Sequence, residues 1–408
     1  MKILQVNKFY YPRGGADKYF LWLTGALKKA GHEVAVFSME HPKNLPTPWS
    51  LYFASRISFN EGGVMDKLKA PGRVLYSFSV RKKFSRLIKD FRPDVIHIHN
   101  IYHHLSPSIL TVAGRNHIPV VMHLHDYKLI SPDYNLLNAA AGSKRDARPK
   151  KYYQYLFSRD VKDSYAATVL AVVEMYLHHS ILNIYRKNVS VFIAPSRFMK
   201  DAVVKAGWPE DKISVVYNPY SPDLEAETPT GKNPAVEDYL FYFGRLNSEK
   251  GIATLIKAAA RISQKVKIAG IGPEESALKK ITEELKAQVE FLGFQAAAEL
   301  RPLITGAKAV IIPSIWPENM PLSLLEAMNL GKIVIAARIG GLPEIIKDGE
   351  NGLLFNPGDE DDLIRQIKRL DSVDREKLSR AATATASNFS PENNLTEIIH
   401  IYKHVIRL

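Results

Sequence analysis

Cysteine is missing altogether from the 408 residues. Disulfides and thiolate metal sites are therefore excluded, and the composition suits a reducing, cytosolic setting. Also missing is an apolar run long enough to cross a bilayer. The longest, Ala166–Val173, ends at Glu174, far short of the roughly 20 residues that a spanning helix needs. No leader is visible at the start, where Met1-Lys2-Ile3-Leu4-Gln5-Val6 goes straight into a strand-like run. Low-complexity tails and short-period repeats are lacking. So is any aromatic-plus-basic RNA motif, and no nucleic-acid partner is expected.

What is present is a globular composition, 46% apolar and 24% charged. The charge is uneven. Residues 1–218 hold 32 Lys+Arg against 16 Asp+Glu, or +16; residues 219–408 hold 23 against 26, or −3, which together give the overall +13. A basic first half favours a phosphate-bearing substrate or an anionic membrane surface, and plain solubility is the alternative.

The length allows two or three domains. In the first half, short apolar runs predict strands at Ile3–Asn7, Glu33–Ser38, Val95–His99, Val120–His123 and Val191–Ala194. Helical patterns fall between them at Asp17–Ala30, Val80–Asp90 and Ser106–Asn116, the first closed by Gly31. Residues 127–188 are an insertion: a Gly/Lys/Arg-rich loop around Ala141–Lys151, then two helices rich in Tyr, Leu and His. The alternation resumes with strands at Leu240–Phe243, Lys265–Ala269, Val289–Leu292, Ala309–Ile312 and Ile333–Ala336. Helices are expected at Gly251–Ser263, Glu274–Lys286, Ala297–Ile304, Leu322–Asn329 and Asp361–Leu370. Asn218–Asp238, rich in Pro, Asp, Glu, Thr and Asn, marks the boundary. The division expected is 1–219, 220–390 and a final helix, 391–408, long enough to cross back onto the first domain. The fold class is α/β, with two doubly wound domains facing a central cleft.

Several patterns point to chemistry at the carboxyl ends of the strands. Glu318-Asn319-Met320-Pro321-Leu322-Ser323-Leu324-Leu325-Glu326 places two glutamates in an otherwise apolar segment, one in the loop after a buried strand and one on the next helix. Buried carboxylates need partners, and two beside one crevice suit a ligand rich in hydroxyl donors. Arg245 and Lys250, in Gly244–Gly251, would clamp a diphosphate there, or else form a solvated surface pair. Gly14-Gly15, between a strand and a helix, would let backbone amides approach a phosphate, or else form only a tight turn. Gly270–Glu274 and Ile339–Glu344 are further glycine turns, the first suited to lining a nucleotide, and either of them open to a purely structural role. His123-Leu124-His125-Asp126 closes a strand, with His97, His99, His103 and His104 nearby. Six histidines invite a zinc reading, but no ordered ligand spacing recurs, and hydrogen-bonded core residues are the simpler expectation for His97 and His99. Arg81-Lys82-Lys83 opens a basic amphipathic segment with Phe84, Leu87 and Ile88 on one face. It would pack as a surface helix or touch anionic lipid.

Together these residues resemble the family-4, GT-B-fold, retaining glycosyltransferases over nearly the whole chain. The matching pieces are Gly14-Gly15, His125-Asp126, Ala194-Pro195-Ser196-Arg197-Phe198, Asn218-Pro219, Gly244–Gly251, Gly270–Glu274, the Glu318/Glu326 pair and Gly340–Glu344. The resemblance implies that Glu326 holds the donor ribose and that Arg245 and Lys250, with the Gly14 and Gly15 amides, hold its diphosphate. It implies that Glu318 meets the transferred sugar, with Asn319, Met320, Pro321 and Leu322 beside it and Gly272 lining the nucleotide, and that His125 is the active-site histidine. No metal or other cofactor is implied. Relatives with a long insertion after the His-Asp pair often carry cysteines there; this chain has Ser131 and Ala139–Ala141, and Asp17 stands where many have glutamate. The insertion and basic first half are similar to those of enzymes that build surface polysaccharide. They imply a hexose or N-acetylhexosamine moved from a UDP- or GDP-sugar to a polyprenyl-diphosphate-linked or glycan acceptor by a cytoplasmic, peripherally membrane-bound protein. Arg81, Lys82, Lys83 and Tyr127 are the candidates for the acceptor or membrane side. The rivals are a GT-B nucleotide-sugar epimerase or soluble-acceptor sugar synthase, and a non-catalytic sugar- or RNA-binding module.

Overall fold

The computed structural model describes residues 1–57, 71–134, 136, 151–161, 164–220 and 237–407. The boundary run 221–236 and the loop 141–150 lie outside them. Twelve strands form two six-stranded sheets among the described residues. The first sheet holds β1 (Lys2–Val6), β2 (Glu33–Phe37), β3 (Val95–Ile98), β4 (Val120–His123), β5 (Val191–Ala194) and β6 (Ile213–Val215), in the order β2-β1-β3-β4-β5-β6. The second holds β7 (Tyr239–Phe243), β8 (Lys265–Ala269), β9 (Val289–Gly293), β10 (Ala309–Ile312), β11 (Val334–Ala337) and β12 (Leu353–Phe355), in the order β12-β11-β10-β7-β8-β9. Every pairing is parallel.

Each sheet is buried on both faces, as continuous apolar strands require. On β1, Leu4 and Val6 enter one core and Ile3 the other. On β7, Phe241 and Phe243 face one way, Leu240 and Tyr242 the other. The strand order reverses between β1 and β3 and between β7 and β10, and at such switch points adjacent loops diverge and leave a crevice for a ligand.

The helix Gly15–Lys29 has Asp17 in its first turn and Lys28 and Lys29 in its last, complementing its dipole, and ends at Gly31 with φ +81°. The helix Pro391–Arg407 crosses back: Ile398, Ile401, Tyr402 and Val405 pack with Ile3, Tyr19, Leu23 and Val34 of the first half. The Tyr19 hydroxyl donates to Asn394 Oδ1 at 3.0 Å. The insertion comprises a helix Tyr165–Tyr176, a π-helical turn Leu177–Ile181 and a short helix Ile184–Asn188. It is tied to the loop after β4 by a buried charge cluster. Glu174 Oε2 lies 2.8 Å from Lys128 Nζ and 2.8 Å from His103 Nε2. Burial alone would raise the Glu174 pKa, but Lys128 and His103 pull it well below the usual carboxylate range.

Candidate active site

The loops after β1, β4, β7, β8 and β10 meet in a cleft of about 470 Å³ between the sheets. Gly14, Gly15 and His125 line it from the first half; Arg245, Lys250, Glu318, Asn319, Met320, Pro321, Leu322 and Glu326 line it from the second. Residues from one half only would have made a groove. Here the two sets face one another.

Gly14 and Gly15 begin a helix, so their amides have no backbone carbonyl partner within it, and the Gly14 amide also faces the Asp17 carboxylate. Neither has a positive φ. A Cβ on Gly14 would come no closer than 4.0 Å to another side chain, and one on Gly15 no closer than 3.7 Å. Neither a left-handed turn nor protein packing demands glycine here, and both residues line the cleft. Gly272 is different. It does not line the cleft, and a Cβ there would fall 2.2 Å from the Leu246 carbonyl oxygen. Its place is to let the loops after β7 and β8 touch, next to Gly270 and Ile271, which line the cleft.

Glu318 is buried, with Oε1 accepting from Lys250 Nζ and from the Ser314 hydroxyl, both at 2.6 Å. Lys250 is thus held by Glu318, whereas Arg245 is exposed, lines the cleft and forms no ion pair among the described residues. Glu326 is buried one helical turn beyond Leu322, which aims both at the same side. Asn319 Nδ2 donates to the His125 carbonyl at 3.2 Å, joining the two halves across the cleft.

His125 has its own support. His97, His99, His123 and His125 form a stack in which neighbouring ring planes differ by 7° to 25°. Gln5 Nε2 donates to the Tyr402 hydroxyl at 3.1 Å, so Gln5 Oε1 is left to accept from His99 Nε2 at 3.0 Å. His99 Nδ1 must then accept from His125 Nε2 at 2.9 Å, and Tyr402 donates onward to His97 Nδ1 at 2.6 Å. This chain fixes His125 as the Nε2–H tautomer with Nδ1 unprotonated. Burial and the nearby Lys8 ammonium lower its pKa to about 3, so the ring is neutral. Burial likewise lowers His97 to about 3 and His99 and His123 well below their ordinary value.

Ring nitrogens of His97, His99 and His123 lie within 4.8 Å of one another. Their planes are nearly parallel, with centroids 4.4 to 5.9 Å apart, so their in-plane lone pairs run side by side rather than converging. His99 already uses both nitrogens. The stack does not have the arrangement of a zinc site. His103 and His104 stand apart from it, His103 against Glu174 and His104 edge-on to Phe9.

Two further findings concern the acceptor and membrane candidates. Tyr127 is fully buried, its hydroxyl donating to the Pro317 carbonyl at 2.8 Å and its ring against Trp316. It braces the halves and is out of reach of an acceptor. Phe84, Leu87 and Ile88 of the basic helix are buried against the first sheet, and Lys83 is held by Glu40 and the Phe53 carbonyl. Arg81 and Lys82 do not line the cleft. The face formed by Phe84, Leu87 and Ile88 is thus taken up by the sheet, while Phe78 at the helix start stays exposed.

Sequence reasoning passed over Arg13, which lines the cleft beside Gly14 with its guanidinium 4.8 Å from the Phe9 ring centroid. Its place directly before the glycine pair was the available signal. It also missed Glu344 as a bracket. Its carboxylate accepts from the Arg197 and Phe198 amides at 2.9 and 2.5 Å and from the Tyr217 hydroxyl at 3.1 Å, so the second half caps a helix of the first.

Comparison with known proteins agrees with this arrangement. Residues 13–224 match the model of Glycosyltransferase Family 4, and residues 226–387 that of Glycosyl transferases group 1. An uncharacterised 42.6 kDa protein in the cps region of Klebsiella pneumoniae is 27% identical over 361 residues, 85% of this chain and 87% of that one. A putative colanic acid biosynthesis glycosyltransferase of Escherichia coli is 27% identical over 43% of this chain and 46% of its own. Among solved structures, Anabaena HepE in complex with UDP and glucose superposes with a TM-score of 0.69 at 21% identity, covering 99% of this chain and 100% of that one. The lipopolysaccharide-biosynthesis glycosyltransferase WaaG does so with 0.66 at 15%, covering 98% and 99%. The chain belongs to glycosyltransferase family 4, and it is a glycosyltransferase of the GT-B fold.

Proposed function

We propose that the protein transfers a hexose or N-acetylhexosamine from a UDP- or GDP-sugar, with retention of configuration, to a lipid-linked or glycan acceptor in surface-polysaccharide synthesis. The observation that carries this reading is the convergence in one cleft of two unforced glycines at a helix start, an Arg245 with no ion pair among the described residues and a buried Glu326. A cavity of about 470 Å³ is within the range of small-molecule sites. HepE, which shares the fold, was solved with UDP and glucose.

In this reading Glu326 accepts hydrogen bonds from the ribose hydroxyls. Arg245, Lys250 and the Gly14 and Gly15 amides neutralise the diphosphate as charge grows on it. These cations and amides supply the charge that a metal would otherwise supply, so no metal is required. The acceptor hydroxyl attacks the anomeric carbon from the face the diphosphate leaves. The sugar–phosphate bond breaks, the new glycosidic bond forms, and a departing phosphate oxygen takes the hydroxyl proton. Glu318 and the unprotonated Nδ1 of neutral His125 hold sugar hydroxyls during this step.

The test is release of nucleotide from UDP- and GDP-sugars with and without polyprenyl-diphosphate-linked and free glycan acceptors, with product configuration read by NMR. Acceptor-dependent release with a retained anomeric centre is expected. Donor turnover without acceptor, yielding an epimerised sugar, would replace this reading with the epimerase.

A further inference from the structure

Phe9, buried in the loop after β1, is the hub of a basic cluster. The Lys8 ammonium lies 5.7 Å and the Arg13 guanidinium 4.8 Å from its ring centroid, where the π face attracts cations. The His41 ring, from the loop after β2, lies 6.4 Å from the same ring and stacks on Tyr11 at 4.5 Å. His41 Nδ1 accepts from the Lys43 amide at 3.1 Å, so in the neutral ring Nε2 carries the proton and is left as a donor. Partial burial, then the charges of Arg56, Lys43 and Arg13, lower the His41 pKa, which places Arg56 in the same group. Arg73 holds that segment in position. Its buried guanidinium donates to the Ser55 carbonyl at 3.1 Å and to the His104 carbonyl, in the loop after β3, at 3.0 Å. Lys8, Arg13 and Arg56 form no ion pair among the described residues; Asp126 and Asp17 act on Lys8 only from beyond contact. Like charges gathered without a counterion repel, and an anionic ligand relieves that cost.

We propose that Lys8, Arg13 and Arg56, with His41, bind a phosphate group carried by the acceptor, on the very sugar that receives the transferred one. The proposal rests on the transferase reading above and names its acceptor class. Position separates this site from the donor's. Arg245, Lys250 and the glycine amides line the cleft, whereas of the cluster only Arg13 does; Lys8, His41 and Arg56 belong to loops of the first half alone. Lys8 joins the cluster to the reacting end, since its charge acts on His125 and Arg245. The cluster is gathered about one phenyl ring, so a phosphate bound there is close to the accepting hydroxyl and not at the far end of a long glycan. Guanidinium forks fit phosphate oxygens in pairs, and the ammonium adds a point charge. Such an acceptor is made by a reaction that forms a sugar phosphate or sets one on a carrier, and this protein then adds the next sugar.

The test is thermal stabilisation of the full chain in saturating UDP or GDP, so that the donor's phosphate contacts are already taken. Glucose 1-phosphate, galactose 1-phosphate and N-acetylglucosamine 1-phosphate are added, beside the matching methyl α-glycosides. A further rise in melting temperature with a sugar phosphate, and none with its methyl glycoside, is expected. Lys8→Met and Arg56→Gln should each weaken that response roughly tenfold or more, with the response to nucleotide alone unchanged. Arg56 is exposed, so its variant serves if Lys8→Met does not fold. The farnesyl diphosphate ester of the same sugar separates the sources: tighter binding than the free sugar phosphate marks a lipid-linked acceptor, equal binding a soluble one, and both support the site. No response to any sugar phosphate, an equal response to the methyl glycosides, or an unchanged response in both variants would each overturn the proposal. So would variants that weaken nucleotide binding itself, which would assign the cations to the donor. A sugar-phosphate response in a chain that no nucleotide stabilises would keep this site and remove the donor reading.

Discussion

Tyr402 and His125 lie far apart in the chain, yet one hydroxyl and one glutamine connect them. Tyr402→Phe removes the group that both Gln5 and His97 contact, leaving buried polar atoms unmatched. It should cost about 1–3 kcal/mol in urea denaturation, and transferase turnover should fall as the His125 tautomer is released. The depressed histidines predict an acid response as well. Above pH 6.5 they are neutral in both folded and unfolded chains. Below it the unfolded chain takes up protons that the folded stack refuses, down to about pH 3 for His97 and His125. Stability should therefore fall as pH drops through that window, by up to about 1.4 kcal/mol per pH unit for each such histidine. A flat melting temperature between pH 6.5 and 4 would contradict the buried, neutral stack. At the Glu318–Lys250 pair, the diphosphate is expected to draw Lys250 toward itself, and activity should withstand EDTA.

The insertion is anchored by Glu174. Glu174→Gln leaves the Lys128 ammonium buried without its anion and should destabilise by about 3–5 kcal/mol. The double variant with Lys128→Met should recover part of that loss in a double-mutant cycle, which a purely steric role for Glu174 would not allow. The strands of both sheets were legible in the sequence because short β-branched runs between glycine turns have few alternatives. β6 and β12 escaped notice, each being only three residues long. The helix Arg197–Lys205 was also missed, although Ser196 caps it by accepting from the Met199 amide at 3.1 Å. The helix Arg375–Ala386 carries little amphipathic pattern to reveal it. The basic helix at Arg81 was visible, but its periodicity was the same whether its apolar face met a sheet or a lipid. Only the fold showed that the sheet takes it.

At the scale of the whole molecule, contacts between the halves create the site. Asn319 reaches the His125 carbonyl, Tyr127 the Pro317 carbonyl, and Glu344 the amides of Arg197 and Phe198. The residues of the cleft were legible one by one, through glycine pairs, cations and carboxylates at strand ends. Their partners were not, because pairs such as His125–Asn319 or Gln5–Tyr402 are set by tertiary packing and leave no local pattern. The central claim is that this cleft binds a nucleotide sugar with Glu326 on the ribose. The measurement that tests it most directly is thermal stabilisation by UDP, GDP, ADP and their sugars, on wild type and Glu326→Ala. A ligand at a hundred times its dissociation constant adds about 2.7 kcal/mol. Stabilisation of wild type by one nucleotide and its sugars, lost in Glu326→Ala, is the expected result. No shift with any of them, or an equal shift in the variant, would contradict it.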